Sequence, residues 1–180
     1  FMAAVLGCEL GNADNVAKFI AECAAMKLQV LGPDINESGP NFTPVGDRIR
    51  FGLGAIKGVG SGAEKIIEER QRGGPFKNFA DFIKRMDTRQ VNRRVIENLV
   101  KSGAFDSCGD ERAELIENLE DRIKQGNKAD SNQGMLFDMF AEDAANAKKV
   151  DPLPFQTRLQ YEKELLGFYV TGHPLDEYKG

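Results

Sequence analysis

Five consecutive residues, Gly58-Val59-Gly60-Ser61-Gly62, have the types and spacing to bind an anion through main-chain nitrogen. They lie within Leu53 to Ile67, LGAIKGVGSGAEKII, which reads as helix, tight glycine hairpin, helix. Two glycines around one apolar residue let the chain turn hard, because glycine tolerates positive φ at little cost. Ser61 is placed as an N-cap, with Glu64 three residues on to complete a capping box. A helix start of this kind leaves a row of backbone N–H groups free, and such a row suits a phosphate. Contact through it holds a nucleic-acid backbone without reading the bases.

The same glycines allow other readings. Gly-Val-Gly before a helix is also an ordinary tight turn. A dinucleotide site would need a third glycine in another place and an acidic residue closing a βαβ unit. No GKS or GKT occurs, which excludes a P-loop. Cys8, Cys23 and Cys108 are widely spaced and never form CxxC, and His173 is the sole histidine. That set assembles no zinc site, and the thiols fit a reducing cytoplasm.

Charge is uneven along the chain. The total is −4. Residues 57–101 carry eleven basic and six acidic side chains, net +5, against −2 for residues 1–56 and −7 for 102–180. Lys57, Arg93 and Arg94 belong to the positive segment, which begins at the hairpin. Local sign, more than the total, determines where a polyanion docks. A mixed-charge surface that is simply solvated is the alternative.

The positioning elements follow from periodicity. The 180 residues, with 41% hydrophobic content and 12 Phe, suit one domain or a small domain with appendages. No apolar run approaches membrane-spanning length, and no signal peptide is visible, so no membrane partner is expected. Phe1 to Ala4 reads as a helix interior, as in a fragment of a longer protein. Residues 12–27 predict a helix with Val16, Phe19, Ile20 and Cys23 on one face. Residues 27–51 predict short strands and a small β-hairpin, with Ile49 and Phe51 on one face and Arg48 and Arg50 opposite.

From Leu53 the pattern is helical. Ile66 and Ile67 anchor the helix after the hairpin, which Gly73-Gly74-Pro75 stops. Phe79, Phe82, Ile83 and Met86 form the next buried stripe. Asp87 with Gln90 starts another helix, carrying Val91, Val95, Leu99 and Val100 inward. Residues 102–106 turn again, and Asp110 caps a helix with Leu115, Leu119 and Ile123. Helix, hairpin, helix thus occurs twice, and pairing lets each unit cover the other's apolar face. The fold class predicted is mainly α with a small β-hairpin, a tandem helix-hairpin-helix module.

Residues 124 to 154 are polar and end in two prolines, as a flexible linker does. Gln133-Gly134-Met135-Leu136-Phe137 is too apolar for one. It reads as a peptide that docks on another protein, or as a piece that folds back on its own domain. Residues 157–166 predict a last helix with Leu159, Leu165 and Leu166.

FMAAVL, PDINES, IRFGLGAIKGVG, GGPFKNFADF, VNRRVIENLVKSGAFD and EKELLGFYVTGHPLDEY run in this order and span nearly the whole chain. The ordered set closely resembles the C-family replicative polymerases of bacteria, in the alpha subunit of DNA polymerase III. The resemblance implies the end of a fingers region at 1–52 and a tandem helix-hairpin-helix domain at 53–124. It implies a linker at 125–154 bearing a clamp-binding peptide, and at 155–180 a helix leading toward an oligonucleotide-binding domain.

It further implies double-stranded DNA, the sliding clamp and other replicative holoenzyme subunits as partners. Lys57 to Ser61 would contact the phosphates of the duplex leaving the active site, and Gly62, Arg93 and Arg94, from the glycine run and the positive segment, complete the candidate backbone-binding set. Gln133, Met135, Leu136 and Phe137 would form the clamp peptide. In one departure, Glu64 stands where the motif favours a small Ala. The family's chemistry is two-metal phosphoryl transfer, with Mg2+ expected on carboxylates of a palm domain upstream of Phe1. Asp14, Asp34 and Asp47 form no such pair, so no catalytic residue, cofactor or polymerase activity is expected in this segment. A protein-interaction scaffold and an accessory DNA-binding module of a repair enzyme are the rival readings.

Overall fold

The computed structural model describes residues 18, 20–23, 25–87, 89–129 and 150–172. Of the first predicted helix, residues 18, 20–23 and 25 are described and helical. Ile20 and Cys23 are buried as expected. Val16, Phe19 and Cys8 lie outside the described residues.

Three short strands follow: β1 (Gln29–Leu31), β2 (Thr43–Val45) and β3 (Arg48–Arg50). β2 and β3 form the expected hairpin, turning at Gly46 with φ 63. β1 adds to β3 in parallel, Val30 opposite Ile49, giving the order β1-β3-β2. Ile49 and Phe51 point into the core and Arg48 to solvent. Arg50 is not free: its guanidinium donates to Gly32 O at 3.1 Å and pairs with Glu37.

Six helices of the described residues complete the fold. They are α1 (Gly62–Gly73), α2 (Phe79–Arg85), α3 (Arg93–Ser102), α4 (Arg112–Glu117), α5 (Leu119–Ala129) and α6 (Phe155–Leu166). Gly74 ends α1 at φ 80, a conformation glycine adopts without Cβ strain. Asn78 caps α2, accepting from Asp81 N at 2.8 Å. Asn92, not Asp87, caps α3 through Val95 N at 3.1 Å. Asp87 organises the preceding turn, accepting from Arg89 N.

Asp110 does not cap the helix that follows it. Its Oδ2 accepts from Phe79 N at 2.8 Å, at the start of α2. The predicted helix beyond it breaks at Asn118, whose Nδ2 turns back to Glu114 O. α5 extends to Ala129, so residues 125–129 are helical where a linker was expected. The peptide at 133–137 lies outside the described residues.

One core joins both hairpin units to the sheet. Phe79 and Phe82 meet Phe105 edge-on with centroids 5.0 Å apart, and Phe76 closes on Phe82 at 5.2 Å. Phe51 stacks on Phe168 and meets Phe42 edge-on. Each buried Phe contributes about 1.5–3 kcal/mol by transfer from water, and edge-on ring pairs add about 0.5–1.5 kcal/mol. The predicted stripes of α2 and α3 are buried throughout. α6 packs on α3, and α5 on α2.

The loop at 34–38 locks the sheet to this core. Ser38 Oγ donates to Phe51 O, and Asn36 brackets the Phe76 peptide, accepting from its N at 2.8 Å and donating to its O at 2.9 Å. The Arg70 side chain of α1 reaches the carbonyls of Ile35 and Ser38.

Candidate nucleic-acid interface

The first hairpin is two stacked turns. Leu53–Ala55 forms only a short 3-10 turn, not the helix expected there, because Gly52 and Gly54 pack directly on backbone. A Cβ on Gly52 would lie 2.4 Å from the Asn41 carbonyl carbon. Val59 N donates to Ile56 O at 3.0 Å, with Gly58 at φ 81, the third residue of a type II turn. Gly62 N then donates to Val59 O at 3.0 Å around Gly60 at φ 48.

These bonds sort the predicted residues. Val59 is buried and its amide is used internally, so it anchors the hairpin and does not face a ligand. Gly62 is likewise buried with its amide committed. Gly58, Gly60 and Ser61 are exposed, and among the described residues their amides have no acceptor. The capping box does not form. Ser61 has helical dihedrals and makes no side-chain cap bond, and Glu64 is exposed. A serine already in the helical region cannot turn its oxygen back onto the first amides.

α3 flanks the hairpin. Val95 Cγ1 would stand 3.3 Å from a Cβ on Gly62, and Asn98 Nδ2 donates to Lys57 O at 2.8 Å. Arg94 precedes Asn98 by four residues, which stacks the two on one helix face beside the turn. Lys57 and Arg94 are exposed and make no ion pair among the described residues. Arg93 diverges: its Nη1 sits 2.6 Å from Glu120 Oε1 on α5. That pair is solvent-exposed on both sides and therefore weak.

The second hairpin, between α3 and α4, differs in kind. Gly103 caps α3 at φ 86, and the Arg112 guanidinium lies against it. Arg112 binds Asp106 at 2.6 Å and Glu162 at 3.5 Å. Burial alone would lower the Arg112 pKa, but these two carboxylates outweigh it and raise it above its usual value. The amides of Gly103, Ala104, Asp106, Cys108 and Gly109 are bonded internally. Its surroundings are acidic, with Asp106, Asp110 and Glu111 in the turn.

Other candidate chemistry is quiet. Burial raises the thiol pKa of both Cys23 and Cys108, which makes them poor nucleophiles. Among the described residues, no group of three or more His, Cys, Asp or Glu could hold a metal ion, and no helix is long and apolar enough to cross a membrane. Asn98 and Glu162 escaped sequence reading, since their partners lie 41 and 50 residues away.

Known proteins place the chain among relatives. The family profile described as a helix-hairpin-helix motif matches residues 27–115. DNA polymerase III subunit alpha of Thermus aquaticus is 45% identical over 183 residues, covering 100% of this chain and 15% of the relative. The subunit of Deinococcus radiodurans is 42% identical, covering 100% and 14%. That of Escherichia coli K12 is 42% identical, covering 99% and 16%. The chain thus spans about 15% of the length of these curated relatives. It belongs to the DNA polymerase III subunit alpha family.

Proposed function

We propose that this segment grips the phosphate backbone of duplex DNA, without sequence preference, as part of a replicative DNA-directed DNA polymerase. The supporting observation is the group of exposed amides at Gly58, Gly60 and Ser61, which have no acceptor among the described residues, framed by the exposed cations of Lys57 and Arg94. Amides aimed at an oxyanion need no reorganisation on binding, and neighbouring cations release counterions from the duplex. The polymerase chemistry, with its Mg2+, belongs to carboxylates outside this segment, which is itself inactive. Gln133, Met135, Leu136 and Phe137 tether the whole protein to the sliding clamp. Linkage of this kind turns weak docking into strong by raising effective concentration toward the millimolar range.

Titration of fluorescent duplex against salt tests the grip. Neutralising about three phosphates gives a slope of log K on log salt near −2.7 and roughly a 40-fold loss between 50 and 200 mM. Affinity indifferent to salt would refute it. Replacing Leu136 and Phe137 with Ala in the whole protein abolishes clamp binding and leaves DNA binding intact; an unchanged clamp titration removes that part.

A further inference from the structure

We propose that Asn98 is a positioning residue for the first hairpin, setting the direction in which the Gly58 amide points. The inference rests on the reading that this hairpin holds a phosphate.

The Lys57–Gly58 peptide is the central one of the Ile56–Val59 turn, and it is planar and trans. Its C=O and N–H therefore point in opposite directions. Asn98 Nδ2 donates to the Lys57 carbonyl at 2.8 Å from the α3 side. With that oxygen held inward, the Gly58 N–H is directed out to solvent, where it has no acceptor among the described residues. The bond also polarises the peptide, which makes the outward N–H a better donor.

The alternative state of this turn is well defined. Rotating the central peptide by about 150–170° converts a type II turn to type I. The flipped peptide would turn the Lys57 oxygen toward a bound phosphate and hide the Gly58 amide. Two features oppose the flip. Gly58 sits at φ 81, which glycine allows, and Asn98 supplies a donor only where the unflipped oxygen lies. Asn98 also restricts position 58, since a Cβ there would lie 2.6 Å from its Nδ2. On the other side, Lys57 N donates to Leu165 O at 3.0 Å, so the peptide preceding the flipping one is fixed to α6.

The test compares Asn98→Ala and Asn98→Asp for binding to a short duplex. Asn98→Ala loses the carbonyl lock and weakens binding about 3- to 10-fold, the range for one hydrogen bond. Its salt slope is unchanged because no cation is lost. Asn98→Asp weakens binding further, since a carboxylate accepts only and favours the flipped peptide. Amide hydrogen exchange gives a readout without DNA: the Gly58 amide gains protection in Asn98→Asp relative to the unaltered chain. Gly58→Ala provides a second route to the flip, and combining it with Asn98→Ala adds less than the two separate losses.

Equal affinity of all three Asn98 forms, with salt-dependent binding intact, would overturn the role of Asn98 and leave the phosphate grip standing. Absence of salt-dependent binding by the unaltered chain would remove the grip itself. In that case the exchange of the Gly58 amide still reports whether Asn98 orients the peptide.

Discussion

Arg112 and Glu162 meet inside the protein, Nη1 to Oε1 at 3.5 Å, with the Glu162 side chain wholly enclosed. Glu162 also accepts from Val170 N at 2.7 Å and Thr171 N at 2.9 Å. A buried carboxylate is tolerable only when its lone pairs are filled, and here Arg112 fills them together with the two amides and the Thr171 hydroxyl. The second hairpin is thereby committed to holding α6 and the turn after it.

Glu162→Ala should cost about 3–5 kcal/mol, the range for removing one partner of a buried pair. Urea unfolding followed by circular dichroism measures it. Glu162→Gln retains an acceptor for the two amides and should cost less. A loss under about 1 kcal/mol for the alanine variant would contradict the buried network.

Asp110 links stability to pH. Burial raises its carboxyl pKa above the ordinary value, against the lowering effect of the Phe79 N–H and Arg122. The folded form therefore holds its proton more tightly than the unfolded chain. Its ionised state costs stability above the folded pKa, and that cost fades as pH falls toward the unfolded value. Asp110→Asn keeps an oxygen for Phe79 N and should flatten this acidic-side dependence. Unfolding free energies between pH 3.5 and 7 test it, and a steeper dependence in the variant would be the wrong sign.

Two glycines should respond unequally to alanine. Gly52→Ala drives a Cβ to within 2.4 Å of the Asn41 backbone, which cannot yield as a side chain would. It should cost about 3 kcal/mol or more, at or beyond the usual overpacking range. Gly60→Ala meets nothing within 4 Å, so only its φ of 48 opposes it, at about 1–2 kcal/mol. Melting temperatures rank the pair.

Charge removal at the hairpin should separate the arginines. Lys57→Ala and Arg94→Ala should each reduce the salt slope of duplex binding by about 0.9. Arg93→Ala should change it less, because Arg93 is directed to Glu120. Equal effects from both arginines would place the phosphate path across α5 as well.

Local patterning carried much of this fold. The faces of α2 and α3 were legible because a helix repeats its inward positions within one sequence window. The turn glycines 58 and 60 were legible for the same local reason. Asp110 was misread because a cap residue looks identical whether it serves its own helix or one 31 residues earlier. β1 falls among the short strands expected over 27–51, but its parallel pairing with β3 was not legible, because the partner lies beyond a loop and three residues carry no register signal. At the site, sequence marked the outward glycines but also included Val59 and Gly62, whose amides are spent internally. Ser61 had the right chemistry for a cap and the wrong dihedrals.

The bond from Lys57 N to Leu165 O has a mechanical meaning. The last turn of α6 and the proposed phosphate-holding loop share one peptide contact, and Glu162 pins the residues just past that turn. A displacement of Val170 or Thr171 would therefore reach Lys57 through Glu162 and the last turn of α6, by hydrogen bonds at both ends.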